Sequence, residues 1–476
     1  MIGSYEVIPA DYCRESSIAT RHRDNPLIAA LPLSGMTIEE IMKRFSNLPP
    51  LPTAADRRLH RLERFAQLNT LDDIIYNRVD YFHAVMSAVT CIRETYVARN
   101  HITAEDRRRR HLLHSHKNTI DTIPIPANWK STARSLGFFG LSGSGKTTFA
   151  NLLGLPYMVV IRHTNYKGTP MKLDQIPWIY IQIPHDATVK SLCLQFFRKV
   201  DDILAYSDYH NQAIAVTGIA QMVMLIARVA TTVALAALFV DEVHNLKVAK
   251  GPNVVIVLNL FSQLVELAGI SVFVAGTPGV KSIVEPGTAN QRKLITGGEV
   301  SFKLMPEKSA EFEDFTDTYW RYQYVQKPGK LTPAIRKAWH AAGAGNPAFT
   351  VLVFLLAQRN EIGLRETVDE VSLTMAAHDN MAMLQPTIRA LRLGTPAALE
   401  SADSLMTQTA LKTIRESMGL PDPAAQAYAT DDATELDGVE PEAAAKSARG
   451  NNAGRKGKAA KGPDPLPSSE RPLLKF

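Results

Sequence analysis

Two apolar patterns alternate along the middle of the chain. Short continuous apolar runs occupy Ser135–Phe139, Tyr157–Ile161, Trp178–Ile183, Ala236–Val240 and Ile270–Ala275. Between them lie longer stretches in which apolar residues recur every three or four positions. The short runs predict buried strands and the longer stretches predict helices. One helix is predicted to open at Asp186, as N-cap, in "HDATVKSLCLQFFRKVDDIL". Apolar strands separated by helices predict an α/β domain, a parallel sheet covered on both faces, over residues 128–304.

The flanks read differently. Residues 1–127 carry mainly helical periodicity. "SGMTIEEIMKRFSNLPPLPTAADRRLHRLERFAQL" predicts a helix, a break at Pro49, Pro50 and Pro52, and a second, basic amphipathic helix. "TLDDIIYNRVDYFHAVMSAVTCIRETYVARN" predicts one or two more. Arg107 to Arg110 form a basic block that fits either a solvated helix face or a contact to nucleic-acid phosphates. In residues 305–400, "LTPAIRKAWHAAGAG", "NPAFTVLVFLLAQRN" and "TVDEVSLTMAAHDNMAMLQPTIRALRLG" predict three helices of a smaller helical lid. Residues 401–476 are predicted to be a largely disordered tail, Ala/Pro/Gly-rich and charge-segregated from about Asp422. It ends in Leu473, Leu474 and Phe476 flanked by Arg471 and Lys475, a candidate docking motif.

Composition narrows the class. The 476 residues suffice for two or three domains, with 45% hydrophobic and 21% charged residues. Cys13, Cys91 and Cys193 have neither metal-ligand spacing nor an even count, which fits a reducing cytoplasm. No apolar run reaches 18 residues and the N-terminus lacks the apolar core of a signal peptide, so no membrane partner is expected. The net charge of +6 permits nucleic acid as a partner without establishing it.

The chemistry concentrates in two places. "GLSGSGKTT" fills the pattern G-x-x-x-x-G-K-[ST] with Gly140, Gly145, Lys146 and Thr147, between a predicted strand and a predicted helix. Backbone N–H groups of Ser142, Gly143, Ser144, Gly145 and Thr148 would cradle phosphates. Lys146 would reach the β- and γ-phosphates of ATP, and the Thr147 hydroxyl would ligate Mg²⁺. A chance glycine-rich turn of this pattern is rare at ordinary residue frequencies. The second place is "ALAALFVDEVHNL", where an apolar strand delivers Asp241 and Glu242 to its C-terminal end. Asp241 would hold Mg²⁺ and Glu242 would polarise the attacking water. That pair favours ATP hydrolysis over phosphoryl transfer to a small molecule. "DEVH" also fits a helicase pattern, but no second α/β motor domain follows it.

The order of these motifs resembles that of AAA+ P-loop ATPases. By that resemblance Thr277, which follows the strand in "ISVFVAGTPGV", is a sensor near the γ-phosphate. Arg292, in "TANQRKLITGG", is an arginine finger acting on a neighbouring subunit. "RHRDNPLIAALP", "GLSGSGKTT", "SLCLQFFRKVDDIL", "LFVDEVHNL", "VAGTPGV" and "QPTIRALRLGTP" together resemble the TnsC/TniB family of transposition regulators, over roughly residues 20–395. The resemblance implies an ATPase assembling as a ring or helical filament on double-stranded DNA, in a bacterial cytoplasm and associated with the nucleoid. It also implies bridging between a TnsD/TniQ-type target selector and a TnsA/TnsB-type transposase. ATP would favour the DNA-bound state, and hydrolysis would favour disassembly. Lys172, Lys190 and Lys247 are candidate DNA contacts. A replication initiator or loader ATPase is the alternative that shares the same core. The chain departs from many AAA+ lids at "GNPAFTVL", where Ala348 and Phe349 replace a sensing arginine.

Overall fold

A computed structural model describes residues 4–115, 124–184, 188–248, 253–280, 295–395 and 399, all within one compact unit, Met1–Leu411. Asp186, Arg292, the side chain of Lys247 and the tail from 401 onward lie outside the described residues.

The strands are β1 (Glu6–Pro9), β2 (Ser135–Gly140), β3 (Val159–Tyr166), β4 (Thr169–Gln175), β5 (Trp178–Gln182), β6 (Ala237–Asp241), β7 (Ser271–Gly276) and β8 (Glu299–Phe302). Helices of nine residues or more are α1 (Val79–Thr95), α2 (Ala104–Ser115), α3 (Lys146–Gly154), α4 (Val189–Leu204), α5 (Ile219–Thr232) and α6 (Asn253–Gln263). They continue with α7 (Ala310–Trp320), α8 (Pro333–Gly343), α9 (Pro347–Glu361) and α10 (Gln385–Leu393).

Five strands form one parallel sheet in the order β5-β6-β7-β2-β8. Every position of β2, β6 and β7 is buried, as a sheet with two covered faces requires. Alternation along each strand sorts the side chains into two chemistries. Leu238, Val240, Val272 and Val274 present an aliphatic face to α4, α5 and α6, which add Phe196, Phe197 and Phe261 to the core. Phe138, Phe239, Phe273 and Trp178 form the opposite, aromatic face, closed by Phe149 of α3 and by Tyr81, Val85, Ala88 and Ile92 of α1. Helix α1, from the stretch before residue 127, is thus a layer over the central sheet.

Three details depart from the sequence reading. The strand expected at 157–161 runs as β3 from Val159 to Tyr166 and pairs with β1 and β4 in a separate three-stranded sheet. Its burial alternates toward the exposed end, the mark of a half-solvated hairpin rather than a central strand. Helix α4 is capped by Thr188, whose side chain accepts from the Ser191 N–H. The third lid segment is not one helix but Glu370–Met375, a π turn at Ala376–Asn380 and then α10, where Pro386 near the start of α10 cannot extend a preceding helix.

The basic block lies on α2 and divides. Arg107 and Arg108 are exposed, whereas Arg109 is buried, bonded to Asp106 at 3.0 Å and stacked over the Trp129 ring. The lid core is aromatic, with Trp320, Trp339 and Phe354 in mutual contact. Among the described residues no single helix is long and apolar enough to cross a membrane.

Candidate nucleotide site

The loop between β2 and α3 has the shape that an anion cradle needs. Gly143 and Gly145 have φ of +77° and +95°, values that disfavour any side chain. A Cβ on Gly145 would also lie 2.7 Å from the Tyr81 hydroxyl. Gly145 is the N-cap residue of α3, so the helix's first N–H groups open onto the loop. Lys146 is buried, its Nζ 2.8 Å from the Gly140 carbonyl oxygen and 3.0 Å from that of Leu141. Its ammonium is therefore already gathered into the cradle. The Ser144 Oγ is buried without a hydrogen-bond partner among the described residues.

Strand β6 brings Asp241 and Glu242 to the same end of the sheet. The Asp241 carboxylate is 1% exposed and accepts from the Thr147 hydroxyl at 3.0 Å, the Tyr180 phenol at 2.8 Å and the Glu242 N–H at 2.8 Å. Among the described residues it has no ion pair. A buried carboxylate with only neutral donors is costly, which fits a divalent cation held between Thr147 and Asp241. Burial, and then the neighbouring carboxylate, hold the Tyr180 phenol well above its usual pKa. Tyr180 therefore stays a donor to Asp241.

Glu242 differs from Asp241 in exposure, in backbone conformation and in its partners. Its side chain is 39% exposed, and its backbone has φ of +59°, a strained value for a non-glycine residue. His244 Nε2 lies 3.0 Å from its Oε2. Thr277 follows β7, next to β6 in the sheet, and is buried. A Cβ on the adjacent Gly276 would approach the His244 backbone nitrogen at 3.5 Å, so this strand end lies against the segment after Glu242.

The structure thus brings together the phosphate loop, Lys146, Thr147, Asp241, Glu242 and the strand end that carries Thr277. Lys172 is exposed on β4 in the separate sheet, and Lys190 is exposed in the first turn of α4. Lys247 belongs to a 3-10 segment, Val243–Val248. Sequence reading missed Tyr180 and His244. Tyr180 sits one strand over from Asp241, a neighbour that only pairing reveals. His244 stands in "DEVH", a pattern that the sequence alone weighs only against a helicase and gives no role in the site.

Residues 129–284 match the family model described as "AAA domain". No curated protein sequence matches the chain. Among solved structures, the chain is similar to the Walker-type ATPase paby2304 of Pyrococcus abyssi, with 10% identity and a TM-score of 0.36, over 62% of this chain and 78% of that one. It is also similar to Cdc6p from Pyrobaculum aerophilum, with 11% identity and a TM-score of 0.37, over 70% and 86%. NtrX from Brucella abortus gives 11% identity and a TM-score of 0.27, over 69% and 68%. The family match, the parallel sheet covered on both faces and the glycine loop opening α3 assign the fold: an AAA P-loop ATPase domain with helical regions on either side of it in the chain.

Proposed function

We propose that this protein is an ATPase switch that assembles on double-stranded DNA and couples target selection to a transposase. The observation that carries the ATPase part is the pairing of a preformed phosphate loop with Asp241 and Glu242 at one sheet end. Lys146 would exchange its loop carbonyls for the β- and γ-phosphates. Thr147 and Asp241 would hold Mg²⁺, which when bound neutralises charge on the phosphate oxygens. Glu242, half-exposed beside them, would accept a proton from the attacking water, with Thr277 placed to help orient it.

The transposition part rests on the six sequence segments that resemble the TnsC/TniB family in order. DNA binding is supported by the net positive charge and by exposed Lys172 and Lys190. On this reading binding is largely sequence-blind and falls steeply with salt. Arg292 would complete the site of a neighbouring copy.

The test is Glu242→Gln in the full chain, measured for ATP binding, hydrolysis and retention on duplex DNA. ATP binding should persist, hydrolysis should fall about a hundredfold, and the variant should accumulate on DNA with ATP. Hydrolysis at the wild-type rate would remove Glu242 from the chemistry. Wild-type turnover that duplex DNA does not alter, with no ATP-dependent retention, would remove the DNA switch. Mixing Arg292→Ala with Lys146→Ala should restore part of the activity, since each lacks a different half of a shared site. Co-assembly without rescue would argue against a trans-acting arginine.

A further inference from the structure

A loop whose N–H groups serve an anion turns its carbonyls the other way, and buried carbonyls need partners. In this protein several of those partners come from far along the chain. The Ser142 carbonyl accepts from the Asn346 side-chain amide at 2.8 Å, and the Gly143 carbonyl from the Ala348 N–H at 3.3 Å. The Ser144 carbonyl accepts from Arg78 Nη1 at 2.7 Å, and the Gly145 carbonyl from the Tyr81 hydroxyl at 3.2 Å, beside the helical bond it accepts from the Phe149 N–H at 2.9 Å. Lys146 takes the two before them, Gly140 and Leu141. Six consecutive carbonyls are therefore held, two by the loop's own lysine, two by the start of lid helix α9 and two by the start of α1.

Both outside partners are rigidly placed. Asn346 is fully buried and caps α9, its Oδ1 accepting from the N–H groups of Ala348 and Phe349 while its amide reaches the loop. A Cβ on Gly143 would lie 2.7 Å from that Oδ1, so the contact is close-fitting. Arg78 is 3% exposed and spends its remaining donors on the Lys303 carbonyl at 2.7 Å, Glu311 of α7 at 3.2 Å and Asp80 at 3.1 Å. One guanidinium thus ties the loop, the end of β8 and the lid.

We infer that Asn346 and Arg78 are positioning residues that hold the phosphate loop by its carbonyl side and carry its nucleotide state to the lid and to α1. This rests on the ATPase reading above. It gives the lid a way to follow the nucleotide although Ala348 and Phe349 stand where a sensing arginine is commonly found. Phosphates draw Lys146 off the Gly140 and Leu141 carbonyls, and any change of loop shape then passes directly to the two helix starts.

The test uses the full chain, with ATP binding by titration and hydrogen exchange of α1 and α9 with and without ATP. Asn346→Ser keeps a neutral cap on α9 but is too short to reach Ser142. It should weaken ATP binding about tenfold, the effect of one lost buried hydrogen bond. In this variant ATP should still protect α1, whereas its protection of α9, left with only the Ala348–Gly143 backbone bond, should fall. Arg78→Lys, whose single ammonium cannot span acceptors spread around a guanidinium, should give the reverse pattern. If it fails to fold, Tyr81→Phe removes only the hydroxyl on Gly145 and should blunt the α1 response. General destabilisation would affect both helices alike, so selective loss of one response is the supporting result. Wild-type affinity and wild-type protection of both helices in Asn346→Ser would overturn the relay alone. A wild-type protein that binds no nucleotide would overturn the ATPase reading and the relay with it.

Discussion

The phosphate loop and the acidic strand end meet through the Thr147–Asp241 hydrogen bond, yet they are restrained in opposite ways. The loop is held on its carbonyl side by Lys146, the lid and α1, and its left-handed positions are glycines. At the strand end, Asp241 is enclosed by donors, but the next residue is half-exposed and sits in a left-handed conformation without being glycine. A phosphate cradle must have its shape before the anion arrives, since ordering it afterward would cost affinity. On the proposed reading Glu242 handles water and must reach solvent, a requirement that would leave strain there in place of packing.

The contrast is broken most severely by Lys146→Ala. The loop's backbone partners would survive, but its buried ammonium would be gone. ATP affinity should fall by about a hundredfold or more, since hydrogen bonds to charged groups are the strong ones. Calorimetric titration finding wild-type affinity would mean the loop binds no phosphate. Next in size is Glu242→Gln, which keeps shape and loses the base. Its kcat should fall by about a hundredfold, with ATP affinity within a few-fold of wild type. A parallel loss of affinity would place Glu242 in binding rather than in chemistry.

Tyr180→Phe sharpens the description of Asp241. Its loss removes one of three donors from a buried carboxylate and leaves Thr147 in place. The Mg²⁺ concentration needed for half-maximal hydrolysis should shift by about fivefold, the scale of one hydrogen bond. No shift would mean that Tyr180 merely fills space beside Phe239, with which it stacks at 5.7 Å.

Much of the loop was legible in the sequence, because its chemistry is local. Gly143, Gly145, Lys146 and Thr147 are fixed by spacing along a few residues, and the strand that ends in Asp241 shows itself as an unbroken apolar run. What holds the loop was not legible. Arg78 and Asn346 stand 66 and 204 positions from their carbonyl partners, and nothing in their neighbourhoods marks them. Edge elements were missed for a related reason. Strand β8, four residues with burial only at Phe302, has too little apolar signal to stand out, and its place beside β2 comes from pairing. The parallel sheet was readable because burial on both faces forces continuous apolar strands. The β3–β4 hairpin was not, because half-solvated strands carry mixed residues.

The smallest expected effect isolates the strain at Glu242 from its chemistry. Glu242→Ala removes the carboxylate and keeps a Cβ at φ near +59°. Glu242→Gly removes both. Both lose the base and should slow hydrolysis alike, so activity cannot separate them, but stability can. The left-handed conformation costs an L-residue roughly 1–2 kcal/mol, whereas glycine adopts it freely. Against this, glycine adds about 0.5–1 kcal/mol of unfolded-chain entropy that folding must overcome. At mid-range the difference leaves Glu242→Gly more stable than Glu242→Ala by about 0.75 kcal/mol, readable as a higher midpoint in denaturant at unchanged slope. Equal midpoints, or a less stable glycine variant, would mean that the backbone at this position relaxes without the side chain. The strain at Glu242 would then not be stored in the fold.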